Sequence, residues 1–169
     1  MGSLGSSKIN DILVKAMNLF KEKDYEILFV TGASSYEEIS KLKFSSNIKV
    51  VPYVENLTRI MKNTDLVVSR AGASTLSELI ALKLPSILIP SPYVPDNHQY
   101  KNALDLSKNN AAVLIEEKDL NGNVLVKTID EILYDDKKIL EMKHNLESLY
   151  VPDSATKIYK TIRDIIDGK

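Results

Sequence analysis

The stretch Asp65-Leu66-Val67-Val68-Ser69-Arg70-Ala71-Gly72-Ala73-Ser74-Thr75-Leu76-Ser77-Glu78 contains the transition that decides the fold of this chain. Its first part is a short apolar run, typical of a buried strand. Its second part opens a helix, because Leu76, Leu79 and Ile80 recur at three- and four-residue steps. Gly72 permits a tight turn between the two. A strand that passes through a short glycine loop into a helix is part of a βαβ unit.

Four other apolar segments share the character of the first part and lie on either side of it: Glu26–Val30, Ile48–Val51, Ser86–Pro90 and Ala112–Glu116. They are rich in β-branched residues, and several have continuous rather than alternating hydrophobicity. That pattern is typical of parallel strands covered on both faces. Helical periodicity fills intervals between them, from Ile9 to Phe20 and around Leu57 to Met61.

Three more helices close the chain, near Leu125–Tyr134, over Lys137–Leu149, and after Pro152 with Asp153 or Ser154 as a cap. Strands that alternate with helices predict an α/β fold with a doubly wound, mostly parallel sheet and helices on both faces. In such a domain a strand normally precedes an opening glycine loop, and none precedes Gly2–Ser6. We expect either a fragment cut after that strand or a compensating feature of the fold.

Composition indicates one globular domain over residues 1–169, with 44% hydrophobic and 27% charged residues. The absence of cysteine excludes disulfides and thiol nucleophiles, and the cytoplasm is the expected location. A net charge of −1 with scattered lysines argues against nucleic-acid binding. No apolar run approaches the roughly 20 residues of a membrane span.

The first candidate site is the loop Gly2–Ser6, whose amides and following helix could cradle an anion. The alternative is an ordinary terminus in which Ser6 or Ser7 caps the helix. The loop contains neither Gly-x-Gly-x-x-Gly nor a Walker sequence, which disfavours nicotinamide cofactors.

The second candidate site is the loop and helix start at Gly72–Glu78. The amides from Ala73 to Thr75 would be unsatisfied donors of a first helical turn, suited to a diphosphate, and Glu78 could accept bonds from the two hydroxyls of a ribose. The alternative is purely structural, with Ser74 as the helix cap and Glu78 favouring the helix dipole.

The third candidate site is Pro90–Asn102, where prolines stiffen a loop that delivers His98, Gln99 and Asn102. Uncharged donors and acceptors of this kind suit sugar hydroxyls. A lone histidine is more often a cap or surface residue than a catalytic base, and His144, on a polar helix, receives no role.

Three blocks in this order resemble the carboxyl-terminal domain of the MurG family: Gly2–Gly5, Ser69–Glu78 and Asp96–Ala103. The resemblance covers essentially the whole chain. It implies the carboxyl-terminal, Rossmann-like half of a GT-B glycosyltransferase. Members of this family transfer N-acetylglucosamine from UDP-N-acetylglucosamine (UDP-GlcNAc) to undecaprenyl-pyrophosphoryl-muramoyl-pentapeptide, which converts lipid I to lipid II in peptidoglycan synthesis.

The resemblance implies the roles of individual residues in donor binding. The residues are Ser3, Gly72, Ala73 and Thr75 for the diphosphate, Glu78 for the ribose, the backbone of Val54 in the loop Pro52–Asn56 for uracil, and His98, Gln99 and Asn102 for the GlcNAc hydroxyls. Arg70 matches an arginine of the motif, and its role stays open between ligand contact and bracing of the loop. Met1 stands where the family has its first loop glycine.

The resemblance further implies an inverting displacement in which UDP leaves and helix amides stabilise its charge. No Asp-x-Asp motif is present, and we expect no catalytic metal and no cofactor. The family's amino-terminal domain binds the lipid acceptor, contacts the membrane and is thought to supply the base, and we expect this domain to be missing here. We therefore assign no catalytic residue to the chain, which would bind donor without turnover. The full-length protein would be peripheral on the cytoplasmic face of the cell membrane.

Other readings remain open at this point. The chain could be a stand-alone subunit that recruits a separate acceptor-binding partner, as in the eukaryotic dolichol-linked GlcNAc transferase. It could also be a noncatalytic nucleotide-binding module. A UDP-sugar epimerase of the same fold would need acidic groups in the cleft, and the sequence offers no convincing set.

Overall fold

The structure, a computed structural model, describes residues 7–168. Helices and strands alternate in the order α1 (Ser7–Ala16), β1 (Ile27–Val30), α2 (Ala33–Ile39), β2 (Ile48–Val51), α3 (Leu57–Met61), β3 (Val67–Ser69), α4 (Ala73–Leu82), β4 (Ser86–Leu88), α5 (His98–Lys108), β5 (Val113–Leu114), α6 (Gly122–Leu133), α7 (Asp136–Leu149) and α8 (Ser154–Ile166). Short 3-10 turns follow α1 at Met17–Phe20 and precede α5 at Pro95–Asn97.

All strand pairing in the described residues is parallel, as the sequence predicts. One sheet pairs β1 with β2, with Ile27 opposite Ile48, and the other has the order β3-β4-β5, with Val67 opposite Ser86. No ladder joins β1 to β3 within residues 7–168, so the sheet is divided at this point.

Helices cover both faces of the three-stranded sheet. Ile87 on β4 faces a core that includes α1 and α6, whereas the next residue, Leu88, faces a second core built with α4, α5 and α7. Successive strand residues point to opposite faces, so this assignment places a helical layer on each side. The first core also contains Phe29 of β1 and Ile48 of β2, and it therefore holds the two sheets together across the break.

Buried polar contacts fix α1 against the sheet. Asn10, only 1% exposed, donates from Nδ2 to the carbonyl of Thr31 at the end of β1, at 2.9 Å. An unpaired buried amide would be costly, so this bond sets where α1 lies along the strand.

Farther along the chain, Asn121 caps α6 by accepting a bond from Val124 N.

The last helix differs from the others. Every residue of α8 is exposed, and the apolar side chains of Ile158, Ile162 and Ile165 are more than half exposed. The predicted cap is only partly correct: Asp153 holds the N-cap position with φ 54°, but its side chain makes no capping bond. Among residues 7–168 no helix is long and apolar enough to cross a bilayer.

Four of the five strands are shorter than the apolar runs that predict them, β2 has the predicted bounds Ile48–Val51, and the sequence does not predict α2. The carboxyl ends of parallel strands meet at one edge of a sheet, and the loops that follow β2, β3, β4 and β5 leave from that edge. The second and third candidate sites and Val54 all lie on these loops or on the first turns of the helices that follow them.

Candidate functional site

The start of α4 presents backbone amides with no protein acceptor. Gly72 is the N-cap and makes no side-chain cap, and the first intrahelical bond runs from Leu76 N to Gly72 O at 3.0 Å. The amides of Ala73, Ser74 and Thr75 therefore have no acceptor among residues 7–168. The alternative in which Ser74 caps the helix is wrong, because Ser74 lies inside the first turn. Three amides and the positive end of the helix dipole suit an anion.

Gly72 leaves open space in front of these amides. Its φ of −70° and ψ of 145° are ordinary extended values, so the tight-turn explanation for this glycine is wrong. A Cβ built on Gly72 would meet only Thr75 Oγ1, at 4.0 Å. No other described protein atom lies within 4 Å of that position, so the space beside Gly72 is open within residues 7–168.

Glu78 lies one turn into the same helix and is exposed. Within the described residues it has neither a hydrogen bond nor an ion pair, so both carboxylate oxygens are available. Thr75, half-buried, lies between Glu78 and the open amides along α4. The helix therefore offers donors at its start and an acceptor one turn later, which is the order that a diphosphate and its ribose require.

Of the side chains that the resemblance assigns to the sugar, Gln99 and His98 contact the β4–α5 loop (residues 89–97), and Asn102 contacts the loop between β3 and α4. Gln99 accepts a bond from Ser91 N at 2.9 Å, and Asn102 Nδ2 donates to Ala71 O at 3.2 Å. His98 Nδ1 lies 2.9 Å from Pro95 O. Each side chain keeps its other polar atom without a partner in the described part of the chain. These atoms are Gln99 Nε2, Asn102 Oδ1 and His98 Nε2.

Two left-handed residues shape the end of this loop. Asp96 and Asn97 have φ of 52° and 51°. Asp and Asn tolerate this region better than other residues with a side chain. Their conformation lets the chain turn directly into α5, whose first residue is His98.

Arg70 braces the β4–α5 loop, which is one of the two roles that the sequence leaves open for this residue. Its Nη1 donates to the carbonyls of Ile89 at 3.2 Å and Pro90 at 3.1 Å, and its Nη2 donates to Glu117 Oε2 at 2.5 Å. Bidentate donation of this kind uses the fixed geometry of a guanidinium. Arg70 thus ties together the ends of β3, β4 and β5.

Sequence reasoning missed Glu117. Its side chain is 2% exposed and forms ion pairs with Arg70 and with Lys8, whose Nζ lies 2.8 Å from Oε1. Burial raises the pKa of the Glu117 carboxyl, but hydrogen bonds from Lys8 and Arg70 outweigh it and hold that pKa below its ordinary value. Arg70 and Glu117 are 47 residues apart, and no local pattern marks the second as the partner of the first.

Two further predicted regions lie at or near this edge. Val54 is half-buried in the loop that follows β2, beside the exposed Tyr53, and Asn56 caps α3 by accepting from Arg59 N. Ser3 and the Gly2–Ser6 loop lie outside the described residues. Within residues 7–168 no three His, Asp or Glu side chains form a cluster that could hold a metal ion.

The parallel sheet, with open helix amides and polar loops at its carboxyl edge, is characteristic of a Rossmann-like half of a GT-B glycosyltransferase. Residues 1–158 match the glycosyltransferase family 28 C-terminal domain, and the chain belongs to that family. The resemblance to the carboxyl-terminal domain of MurG proteins is confirmed by the relatives.

Two of these relatives are bacterial enzymes. The chain is 42% identical over 97% of its length to the UDP-N-acetylglucosamine–N-acetylmuramyl-(pentapeptide) pyrophosphoryl-undecaprenol N-acetylglucosamine transferase of Bacillus licheniformis. It is 44% identical over 98% of its length to transferase 1 of this name from Bacillus cereus. In both cases it covers 46% of the relative, so the chain spans slightly less than half the length of these proteins.

Solved structures support the same fold. The MurG of Acinetobacter baumannii superimposes with a TM-score of 0.83 at 24% identity, over 96% of this chain and 48% of that protein. The glycosyltransferase VinC, solved with dTDP, gives a TM-score of 0.68 at 19% identity, over 86% of this chain and 34% of VinC. At these identities the likeness establishes the fold alone.

Proposed function

We propose that the chain binds UDP-GlcNAc as the donor for inverting transfer of N-acetylglucosamine to a lipid-linked muramoyl-pentapeptide in peptidoglycan synthesis. The observation that carries this proposal is the start of α4. There, within residues 7–168, three amides have no acceptor beside open space at Gly72, and Glu78 one turn later has no partner. The names of the Bacillus relatives support the choice of sugar and acceptor.

In this proposal the diphosphate binds at Gly72, Ala73 and Thr75, and at Ser3, which lies outside the described residues. The ribose hydroxyls donate to Glu78, and uracil lies against the backbone of Val54. The sugar hydroxyls bond to the unpartnered polar atoms of His98, Gln99 and Asn102. When the bond to the sugar breaks, negative charge develops on the departing UDP, and fixed amides at the start of α4 stabilise it.

We further propose that residues 1–169 form the donor-binding domain of a protein about twice as long. The relatives have room for a second domain, which would bind the lipid acceptor and supply the base. In a doubly wound sheet the first strand lies between the second and the fourth. A strand that precedes residue 1 in a longer protein would then fill the break between β1 and β3. Such a protein would be peripheral on the cytoplasmic face of the membrane.

Calorimetric titration of the purified chain with UDP-GlcNAc, UDP and NAD tests the donor proposal. We expect UDP and UDP-GlcNAc to bind and NAD to bind far more weakly, because the sequence contains no Gly-x-Gly-x-x-Gly motif for a dinucleotide. Tight binding of NAD, or no binding of either uridine nucleotide, would refute it. In a separate assay, turnover with a lipid acceptor by this chain alone would refute the assignment of the base to a second domain.

A further inference from the structure

Glu117 is buried at the end of β5, yet it is linked to the loop that carries the proposed sugar ligands. We propose that Glu117 is a positioning residue for the sugar part of the donor, acting through Arg70 on the β4–α5 loop. This inference rests on the proposed function. Its side chain is 2% exposed, so it influences the donor only through other residues.

A continuous series of contacts connects Glu117 to Gln99. Glu117 Oε2 accepts from Arg70 Nη2, and Arg70 Nη1 donates to the carbonyls of Ile89 and Pro90. The next residue, Ser91, donates its amide to Gln99 Oε1 at 2.9 Å. Three consecutive residues of the loop are therefore fixed, and the last of them orients a side chain whose Nε2 is left to bind sugar.

Lys8 joins the same network from α1. Its ammonium lies 2.8 Å from Glu117 Oε1 and 6.0 Å from the centre of the Tyr93 ring, on the exposed part of the loop. A carboxylate between two cations keeps its charge although it is buried. The charge of Glu117 in turn holds the guanidinium of Arg70 in the one orientation that reaches both carbonyls.

Apolar packing holds the start of the loop, where Ile89 and Pro90 are buried, but not the part beyond it. A cleft of about 280 Å³ separates the loop from the segment after β5, with Pro90, Ser91 and Tyr100 on one side and Glu116, Glu117 and Lys118 on the other. Most of the loop is exposed, including Pro92, Tyr93 and Pro95. Since residues 92–97 have few buried contacts, the position of this exposed part depends on the hydrogen bonds made by Ser91 and the residues before it.

The consequence is a selective effect on the sugar. The first turn of α4 and Glu78, which would hold the diphosphate and ribose, belong to a helix anchored by the buried Leu76 and Leu79. Gln99 instead depends on the loop. Weakening the contact between Glu117 and Arg70 should therefore reduce affinity for UDP-GlcNAc more than affinity for UDP.

The test is calorimetric titration of the 169-residue chain and its Glu117→Gln variant with UDP and with UDP-GlcNAc. Glutamine keeps the shape and removes the charge. We expect UDP-GlcNAc affinity to fall about tenfold and UDP affinity to fall less than about threefold. Glu116→Gln is the matched control, because Glu116 pairs only with the exposed Lys118 among described residues, and it should change either affinity less than about twofold.

Arg70→Lys is a second variant, measured by the same two titrations. If thermal melting shows that Glu117→Gln does not fold, Arg70→Lys tests the inference instead. A lysine keeps the charge but cannot donate to both carbonyls and Glu117 in one geometry, so the same selective loss is expected. Unchanged UDP-GlcNAc affinity, or equal losses for the two ligands, would overturn the inference. If the wild-type chain binds neither ligand, the proposed function fails first, and the two failures are thus distinguished.

Discussion

The polar residues of the site differ in how far the protein itself already occupies their hydrogen-bonding groups. Gln99 and Asn102 each use one polar group in a hydrogen bond to a loop backbone, whereas Glu78 has no partner within the described residues. A residue without protein partners loses only ligand contacts when it is removed. Glu78 is therefore the cleanest single position at which to test donor binding.

Glu78→Ala should weaken UDP and UDP-GlcNAc by about 1 to 3 kcal/mol, the range for a lost pair of hydrogen bonds to a charged group. The melting temperature should not change, since Glu78 is exposed. Calorimetry and thermal melting on one preparation give both values. Glu38→Ala, at an exposed glutamate of α2, is the control, and unchanged nucleotide affinity in Glu78→Ala would remove Glu78 from the site.

Glu117 gives the ligand-free protein a pH-dependent stability. Its folded pKa lies below the ordinary 4.5, so the stability from its ionised form is fully present above that value and is lost as pH falls through the folded pKa. Lys8 and Arg70 are the charged groups that contact it. Melting curves from about pH 7 to about pH 3 should show Glu117→Gln less stable than wild type at the upper end. The gap should narrow below 4.5, and a gap that widens there would contradict this assignment.

At the scale of the element, two helices begin with glycines that have different physical reasons. Gly72 caps α4 beside open space. Gly122 opens α6, and a Cβ there would lie 2.8 Å from Ala16 Cβ and 3.3 Å from Leu19 Cδ1. The first glycine leaves room for a ligand, and the second lets α6 pack closely against the end of α1.

The two alanine variants should therefore have opposite effects. Gly122→Ala should destabilise the fold by about 1 to 3 kcal/mol through overpacking, with nucleotide affinity retained in the folded fraction. Gly72→Ala should keep the melting temperature within a few degrees and weaken UDP binding, because the new methyl group occupies the proposed diphosphate space. Each variant controls for the other in thermal melting and calorimetry. A destabilised Gly72→Ala that binds UDP normally would contradict this explanation.

At the scale of the whole molecule, two features distinguish this chain from a closed α/β domain. The sheet is divided between β1 and β3, and α8 presents an apolar face that no described residue covers. The match to the family 28 domain ends at residue 158, early in α8. This helix therefore contributes little to the core of the domain.

A truncated chain ending at Pro152 should fold and bind UDP as the full chain does, because α8 has no buried residue. Its melting temperature should stay within a few degrees of the original. A chain ending at Tyr134 is the control and should unfold, since it also loses Met142 and Leu146 of α7 from the two cores. Comparable destabilisation by both truncations would show that α8 packs on this domain.

Much of the fold could be predicted from the chain alone, and the reason is local. Continuous apolar runs such as Ile48–Val51 mark covered parallel strands, and the three- and four-residue spacing of Leu76, Leu79 and Ile80 marks a helix. The ends of elements were less accurate. The run over Ala112–Glu116 gives a strand of only Val113–Leu114, because strand limits depend on the partner strand. The short α2 has no strong apolar periodicity, and packing against neighbouring elements fixes it.

The sequence by itself determined the parallel α/β class and the places where strands end in glycine or polar loops, because both follow from residue type and spacing. Only the tertiary structure decided that Gly72 has an ordinary extended backbone beside open space, that Gln99 and Asn102 hold loops, and that Arg70 is paired with Glu117. The contacts of Asn102 and Arg70 join residues that are far apart in the chain. Residue type and local spacing do not predict them, because the partners come together only when the strands pair in the folded sheet.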